Sequence, residues 1–341
     1  MEGQERHKAR GTFAQPLVSV PLFHPLIRVL LFVIAAVVFA IALTLPGVVL
    51  IMMKDPARLE LIVKGHLLRF SDNLVLAGQY AGILAAVVLF CRVVDRRPLV
   101  SLGLGTEKSF VQQSLLGLVF AVWQVAFIFL IIFLLGGRWE MTLEQTLTPL
   151  GLFGYAVFFL FQGGIEELAD RGYVLQALLT RYSPVTSVAL SSCLFSGAHA
   201  LNPGLFDSPL TGSIGIVNLF LYGVFAAVSF LRFGTLWFAI VNHAAWNWIL
   251  GNILGTAVSG LTLSERLVTF QFSGPDWVTG GPFGLEGSVA CTLTLVLATA
   301  VLYLIPSQPP RTWWQAVRDL TREQDRHLAV PNHKSPYEQD A

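Results

Sequence analysis

The amino-acid composition of this 341-residue chain is that of a membrane protein. Hydrophobic residues make up 54% of the chain and charged residues 13%, whereas about 25% of the residues in soluble domains are charged. The net charge is +1, and no basic stripe lies outside the membrane flanks. The composition therefore argues against nucleic acid as a partner.

Apolar runs along the chain predict an all-α, polytopic integral membrane protein with about eight transmembrane helices, since a helix needs about 20 residues to span a bilayer. Residues 1–25 form a predicted cytoplasmic tail that lacks the apolar core and cleavage site of a signal peptide. Residues 26–305 form the membrane domain, and 306–341 a cytoplasmic tail whose end is predicted to be disordered. The predicted spans are 26–53, 73–94, 110–135, 149–181, 184–200, 214–231, 235–254 and 289–305.

The fourth predicted span is too long for one perpendicular crossing, and it contains charges. We expect it to bend at Gly163-Gly164. A charge near the bilayer centre costs about 2.5–3.5 kcal/mol, so ionisable groups inside a span indicate a functional site. The charged residues in the middle of this span are Glu166, Glu167, Asp170 and Arg171.

Two loops between the predicted spans are long. Residues 54–72 contain a short amphipathic stretch, which lies in the membrane interface or is part of an ordinary loop. Gly255 to Ser288 exceeds an ordinary connection and contains Trp277 and Phe283. We expect it either to fold over the external mouth of a site or to pack as a surface loop.

The distribution of Lys and Arg predicts the orientation. These residues predominate in the loops on the N-terminal side of the membrane, which predicts a multi-pass protein of the cell membrane with both termini in the cytoplasm. The first external loop departs from the rule because it also carries four basic residues: Lys54, Arg58, Lys64 and Arg69.

Two of the seven histidines lie inside predicted spans, at depths close to that of Glu166. A helix rises about 1.5 Å per residue, which places Glu166 and His199 about 22 Å, and His243 about 16 Å, from the cytoplasmic ends of their helices. Tilt accounts for differences of this size. The three residues are therefore predicted to meet in one site.

Spacing within the helices adds neighbours to this site. Residues four apart share a helix face, and Glu166 lies about 100° around the helix from Glu167, so these two glutamates need not have the same role. Asp170 is expected to face water or to pair with Arg171. The pairs four apart are Glu167 with Arg171, Phe195 with His199, and His243 with Asn247.

The chemistry that fits these groups is hydrolysis. A buried carboxylate can act as general base on water, and an imidazole can hold that water or protonate the leaving amine. A histidine and an asparagine amide can donate hydrogen bonds to a developing oxyanion. Two histidines and a glutamate could instead bind zinc, although no HExxH motif is present. The three cysteines lack metal-ligand spacing and indicate small core residues: Cys91, Cys193 and Cys291.

Each group also has a simpler explanation by itself. Glu167 with Arg171 would form a structural ion pair, His199 would be a helix-end histidine with satisfied hydrogen bonds, and His243 with Asn247 would join neighbouring helices. Trp246 and Trp248 are expected to pack or to lie at the interface. A shared site explains all the intramembrane polar groups together.

Three motifs in this order resemble the CAAX-processing and bacteriocin-processing (CPBP, or Abi) family of intramembrane endopeptidases. The resemblance covers about residues 96–254, the predicted protease core, and includes the Asp95-Arg96-Arg97-Pro98 stretch. Asp170 stands where the family usually has an aromatic or apolar residue. The three motifs are Glu166-Glu167-x-x-x-Arg171, Phe195-x-x-x-His199 and His243-x-x-x-Asn247.

The resemblance implies an eight-helix membrane fold, related to that of the CAAX prenyl endopeptidase, and a metal-free glutamate site. It implies that Glu166 activates water with help from His199, and that His243 and Asn247 bind the oxyanion. The residues that it implies to be supporting are Glu167, Arg171 and Phe195.

We therefore expect an intramembrane endopeptidase that acts, within the lipid bilayer, on a peptide or membrane-protein substrate, with or without a lipid attached. One alternative is a zinc-dependent protease with Glu166, His199 and His243 as ligands. Another is a non-catalytic immunity or solute-binding membrane protein on the same scaffold.

Overall fold

The computed structural model describes residues 21–329 apart from 22, 67, 107, 108, 145, 147, 307, 308, 310 and 311. Residues 1–20 of the predicted tail 1–25, and residues 330–341 of the predicted tail 306–341, lie outside this part of the chain. Helices account for most of the described residues. This confirms the all-α class.

Each predicted span coincides with a helix, although the helices differ in length. Within the described residues, five are long and apolar enough to cross a membrane. They are α1 (Pro25–Lys54), α3 (Phe70–Leu89, continued by a π-helical turn Phe90–Val94), α4 (Phe110–Leu134), α5 (Pro149–Glu167, continued through Leu179) and α8 (Pro209–Phe233). The other three are shorter: α7 (Pro184–Ala198), α9 (Trp237–Trp248, continued by a π-helical turn Ile249–Ile253) and α11 (Val289–Leu304). The polytopic fold is confirmed, and the number eight stays a prediction.

Several short elements fill the connections. In the first loop, α2 (Pro56–Val63) is capped by Asp55, whose Oδ1 accepts a hydrogen bond from the backbone N–H of Arg58 at 3.0 Å. The remaining helices are α6 (Gln176–Leu179), α10 (Asp276–Thr279) and α12 (Trp313–Ala329), and the 3₁₀ turns are Leu99–Leu102, Gly281–Phe283 and Leu285–Gly287.

A small sheet accompanies the helices. Strand β1 (Arg138–Leu143) pairs antiparallel with β2 (Val268–Ser273), with Arg138 opposite Ser273 and Leu143 opposite Val268. Its aromatic side chains pack on Phe129 of α4, to which the ring of Trp139 comes within 5.1 Å. The long loop from Gly255 to Ser288 is therefore partly a strand anchored on the helix bundle.

Glycines allow the helices that carry the site to approach closely. A Cβ added at Gly223 of α8 would lie 2.8 Å from Cα of Ser192 on α7, and one at Gly163 would lie 3.1 Å from Cγ of His243 on α9. Helix α5 stays α-helical through Gly163 and Gly164, and the departure begins at a π-helical turn, Leu168–Leu175. The irregularity therefore lies later in the helix than the bend predicted at these glycines. Gly163 instead allows α5 and α9 to pack closely.

The C-terminal tail returns to the membrane domain through α12. The guanidinium of Arg97 stacks 3.9 Å from the ring of Trp313 and donates hydrogen bonds to Gln176 Oε1 and to the carbonyl of Gly172, both at 3.3 Å. Asp95 forms a buried ion pair with Arg28 at 2.8 Å. This cluster holds the π-helical turn that follows the glutamates.

Candidate active site

Glu166 lies between two imidazoles. It is near the end of α5, His199 directly follows α7, and His243 lies in the middle of α9. Oε2 of Glu166 is 4.0 Å from Nε2 of His199 and 3.7 Å from Nε2 of His243. No described residue donates a hydrogen bond to this oxygen. The three helices thus bring together the three groups that were predicted to share one depth.

The end of α7 orients His199. Ser183 begins the helix by accepting a hydrogen bond from the backbone N–H of Thr186 at 3.1 Å. At the other end of α7, Nδ1 of His199 is 2.8 Å from the carbonyl oxygen of Phe195, and the centres of the two side-chain rings lie 4.7 Å apart. A carbonyl only accepts, so Nδ1 carries a proton and donates to it, and Nε2 faces Glu166.

A buried chain of charges holds His243. Its Nδ1 donates to Oε1 of Glu167 at 3.0 Å, and Nη1 of Arg171 donates to the same oxygen at 3.2 Å. Arg171 also donates to the carbonyl of Gly223 at 3.3 Å, and its guanidinium lies 4.5 Å from the centre of the Phe195 ring. Glu167 and Arg171 are completely buried, so the predicted pair exists and supports an imidazole.

Asn247 reaches Glu166 through a residue that the sequence did not single out. Its Nδ2 donates to Oε1 of Gln162 at 2.9 Å, and Nε2 of Gln162 donates to Oε1 of Glu166 at 2.6 Å. Gln162 precedes Glu166 by four residues on α5, a spacing that places both on one helix face. This four-residue spacing is the sequence feature from which Gln162 could have been predicted to lie in the site.

These groups line a cavity of about 400 Å³. Asp170 also lines the cavity, and within the described residues it forms no ion pair with Arg171. Tyr222, another residue that sequence reasoning missed, places its ring 5.1 Å from that of His243. The apolar wall of the cavity includes Ile62, Leu68, Leu76, Phe158, Phe159 and Leu263. The cavity therefore joins a polar cluster to an apolar surface.

The long loop supplies part of the wall through Val258, Ser259, Leu261, Leu263 and Glu286. Glu286 Oε1 accepts from Nε1 of Trp246 on α9 at 3.0 Å, and Oε2 accepts from the backbone N–H and the hydroxyl of Ser259. Trp277 and Phe283, which suggested a lid, do not line the cavity. Glu286 thus fastens the loop to the helix that carries His243.

Replacing Glu286 with alanine should loosen this wall. A hydrogen bond to a charged group contributes about 1.5–3 kcal/mol, so we expect amide exchange in residues 257–263 to accelerate at least about tenfold. Hydrogen exchange with mass spectrometry would measure the rate. Glu140→Ala, at an exposed position on β1, is the control, and unchanged exchange in Glu286→Ala would contradict this role.

Among the described residues, no group of three His, Cys, Asp or Glu side chains has the geometry of a metal site. His243 donates from Nδ1 to Glu167 and turns its Nε2 towards Glu166, an arrangement that metal-bound histidines also adopt. The three cysteines are free thiols, with Cys193 exposed.

Residues 148–249 match the family model of the type II CAAX prenyl endopeptidase, Rce1-like. This segment runs from the start of α5 into the end of α9 and contains every candidate site residue. Over this segment the chain is similar to the CAAX proteases. No curated protein and no solved structure matches the chain.

This similarity supports a coarse function, that of a membrane protease. Proteases of that family hydrolyse a peptide, and five of the described helices are long and apolar enough to cross a membrane. Glu166, His199, His243 and Asn247 lie inside the matched segment and around one cavity. The assignment of roles among them is a separate question.

Proposed function

We propose that this protein is an intramembrane endopeptidase of the CAAX type in which Glu166 activates the attacking water. The observation that carries the proposal is the placement of Oε2 of Glu166 opposite Nε2 of His199, at 4.0 Å. That gap is too long for a direct hydrogen bond and suits one bridging water. Both atoms are acceptors when His199 is neutral, and water supplies the two protons that they need.

The reaction proceeds by general-base catalysis. Glu166 takes a proton from the water as its oxygen attacks the carbonyl carbon, and the C–N bond then breaks as the leaving amine receives a proton. His199 holds the water and can relay the proton from Glu166 to the leaving amine. The apolar wall makes the surroundings of these groups less polar, which strengthens their electrostatic interactions.

His243 and Asn247 stabilise the oxyanion. Both line the cavity beside Glu166, and donors aimed at a developing oxyanion are often the largest contribution to acyl transfer. To donate from Nε2, His243 must carry protons on both nitrogens. The carboxylates of Glu166 and Glu167, at 3.7 and 3.0 Å, compensate the charge of such a ring.

The substrate is a peptide, or a segment of a membrane protein, that reaches the cavity from the bilayer. The apolar wall suits a substrate bearing a lipid as well as one with large apolar side chains. We place the protein in the cell membrane with both termini in the cytoplasm, as the distribution of Lys and Arg predicts.

Purified protein in detergent should cleave an internal peptide bond in a quenched fluorescent CAAX peptide, prenylated or not, and should keep this activity in EDTA or phenanthroline. The physical reason is that a carboxylate, and no metal, activates the water. Fluorescence gives the rate, and mass spectrometry gives the cleaved bond.

Three outcomes separate the alternatives. Stoichiometric zinc, with activity lost on chelation and restored by zinc, would favour the metalloprotease. Folded protein that cleaves neither peptide would favour a non-catalytic role. Release of single terminal residues would contradict the endopeptidase assignment.

A further inference from the structure

Gln162 connects the two halves of the site. Its amide nitrogen donates to Oε1 of Glu166 at 2.6 Å, and its amide oxygen accepts from Nδ2 of Asn247 at 2.9 Å. Gln162 and Asn247 are both buried, and all three residues line the cavity. No other described side chain hydrogen-bonds to both Glu166 and Asn247.

The direction of these hydrogen bonds follows from the charge of Glu166. An ionised carboxylate only accepts hydrogen bonds, so Gln162 must turn its NH₂ group towards Glu166. The carbonyl oxygen of Gln162 then faces Asn247, so Asn247 must donate a hydrogen bond to it from its own NH₂ group. One N–H of Asn247 is used in this bond, and the second remains to donate to a substrate.

Without this constraint the Asn247 amide could present either end. The oxygen and the nitrogen of an amide have nearly the same size but opposite hydrogen-bonding capacity. An amide oxygen facing a developing oxyanion would repel it, whereas an N–H would stabilise it. The same contact occupies Oε1 of Glu166 and leaves Oε2 directed at the histidines.

We propose that Gln162 is a positioning residue that fixes the polarity of the Asn247 amide and the orientation of the Glu166 carboxylate. This inference rests on the proposed function, because it assumes that Glu166 is the base and that Asn247 is an oxyanion donor. Gln162 acts through both residues and does not itself touch the reacting atoms.

A mutant cycle tests the inference with the prenylated CAAX peptide as the probe. Gln162→Met keeps approximate size and removes both hydrogen bonds, so kcat should fall on the order of 10²-fold, as on loss of an oxyanion donor, with KM little changed. Asn247→Ala should lose about as much. Since both changes remove the same aligned donor, the double variant should be no slower than the slower single variant.

A second variant, Gln162→Asn, tests the inference in case Gln162→Met does not fold. Gln162→Asn keeps an amide but is one methylene shorter, so it cannot span from Glu166 to Asn247, and kcat should again fall at least about tenfold. Melting temperature in detergent is recorded for every variant. If Gln162→Met unfolds, Gln162→Asn decides the question.

Each contrary result has one meaning. Wild-type kcat in the folded Gln162→Met or Gln162→Asn variant would overturn the inference, and so would losses that multiply in the double variant, since they would show that Gln162 acts independently of Asn247. Cleavage by Glu166→Gln at the wild-type rate would instead overturn the proposed function.

Discussion

Replacing Glu166 with glutamine should almost abolish peptide cleavage while leaving the protein folded. Glutamine keeps the shape and can still accept the hydrogen bond that Gln162 donates to Oε1 at 2.6 Å. It cannot take a proton from water, and loss of a general base lowers turnover on the order of 10²–10⁴-fold. The comparison needs kcat on the CAAX peptide and the melting temperature in detergent.

The control is the same substitution at a glutamate outside the site. Glu60→Gln removes an exposed carboxylate that pairs with Lys64 on the surface, and exposed pairs of this kind contribute little to stability. We expect wild-type turnover from this variant. If Glu166→Gln keeps more than about a tenth of the wild-type turnover, Glu166 is not the base.

The sequence predicts the charged part of this site well because charge is costly inside a membrane. Glu166, Glu167 and Arg171 interrupt an apolar run, and the depths of His199 and His243 follow from helix rise alone. The structure places these side chains within 4.0 Å of their neighbours in the cluster. Their roles in catalysis remain predictions.

The neutral part of the site leaves a weaker trace in the sequence. A glutamine costs less than a charge in an apolar helix, and Gln113 and Gln124 also lie in the third predicted span, where they join α4 to other segments. Gln162 therefore did not stand out. Glu286 lies outside the predicted spans, so a depth argument did not reach it.

Long-range pairings were the hardest to predict. The pairing of β1 with β2 joins segments more than 100 residues apart, and their alternating patterns are short. The contact of Trp313 with Arg97 likewise depends on how the bundle folds. From composition, the C-terminal tail showed only its prolines and charges. In the folded protein, Trp313 and Val317 of α12 are buried.

Replacing Arg171 with alanine should damage folding as well as activity. The change leaves Glu167, which is completely buried, with His243 as its remaining partner. Breaking a buried ion pair by removing one member costs about 3–5 kcal/mol. We expect a clear fall in the melting temperature, together with loss of cleavage, because Glu167 also holds His243.

The matched control is Arg266→Ala, which breaks a partly exposed pair with Glu144 at 3.2 Å and should change stability by about 1 kcal/mol or less. The double variant Arg171→Ala with Glu167→Gln should melt higher than Arg171→Ala alone, because no unpaired carboxylate remains at position 167. Early melting of Glu166→Gln, with a stable and active Arg171→Ala, would reverse the proposed division between a catalytic and a supporting glutamate.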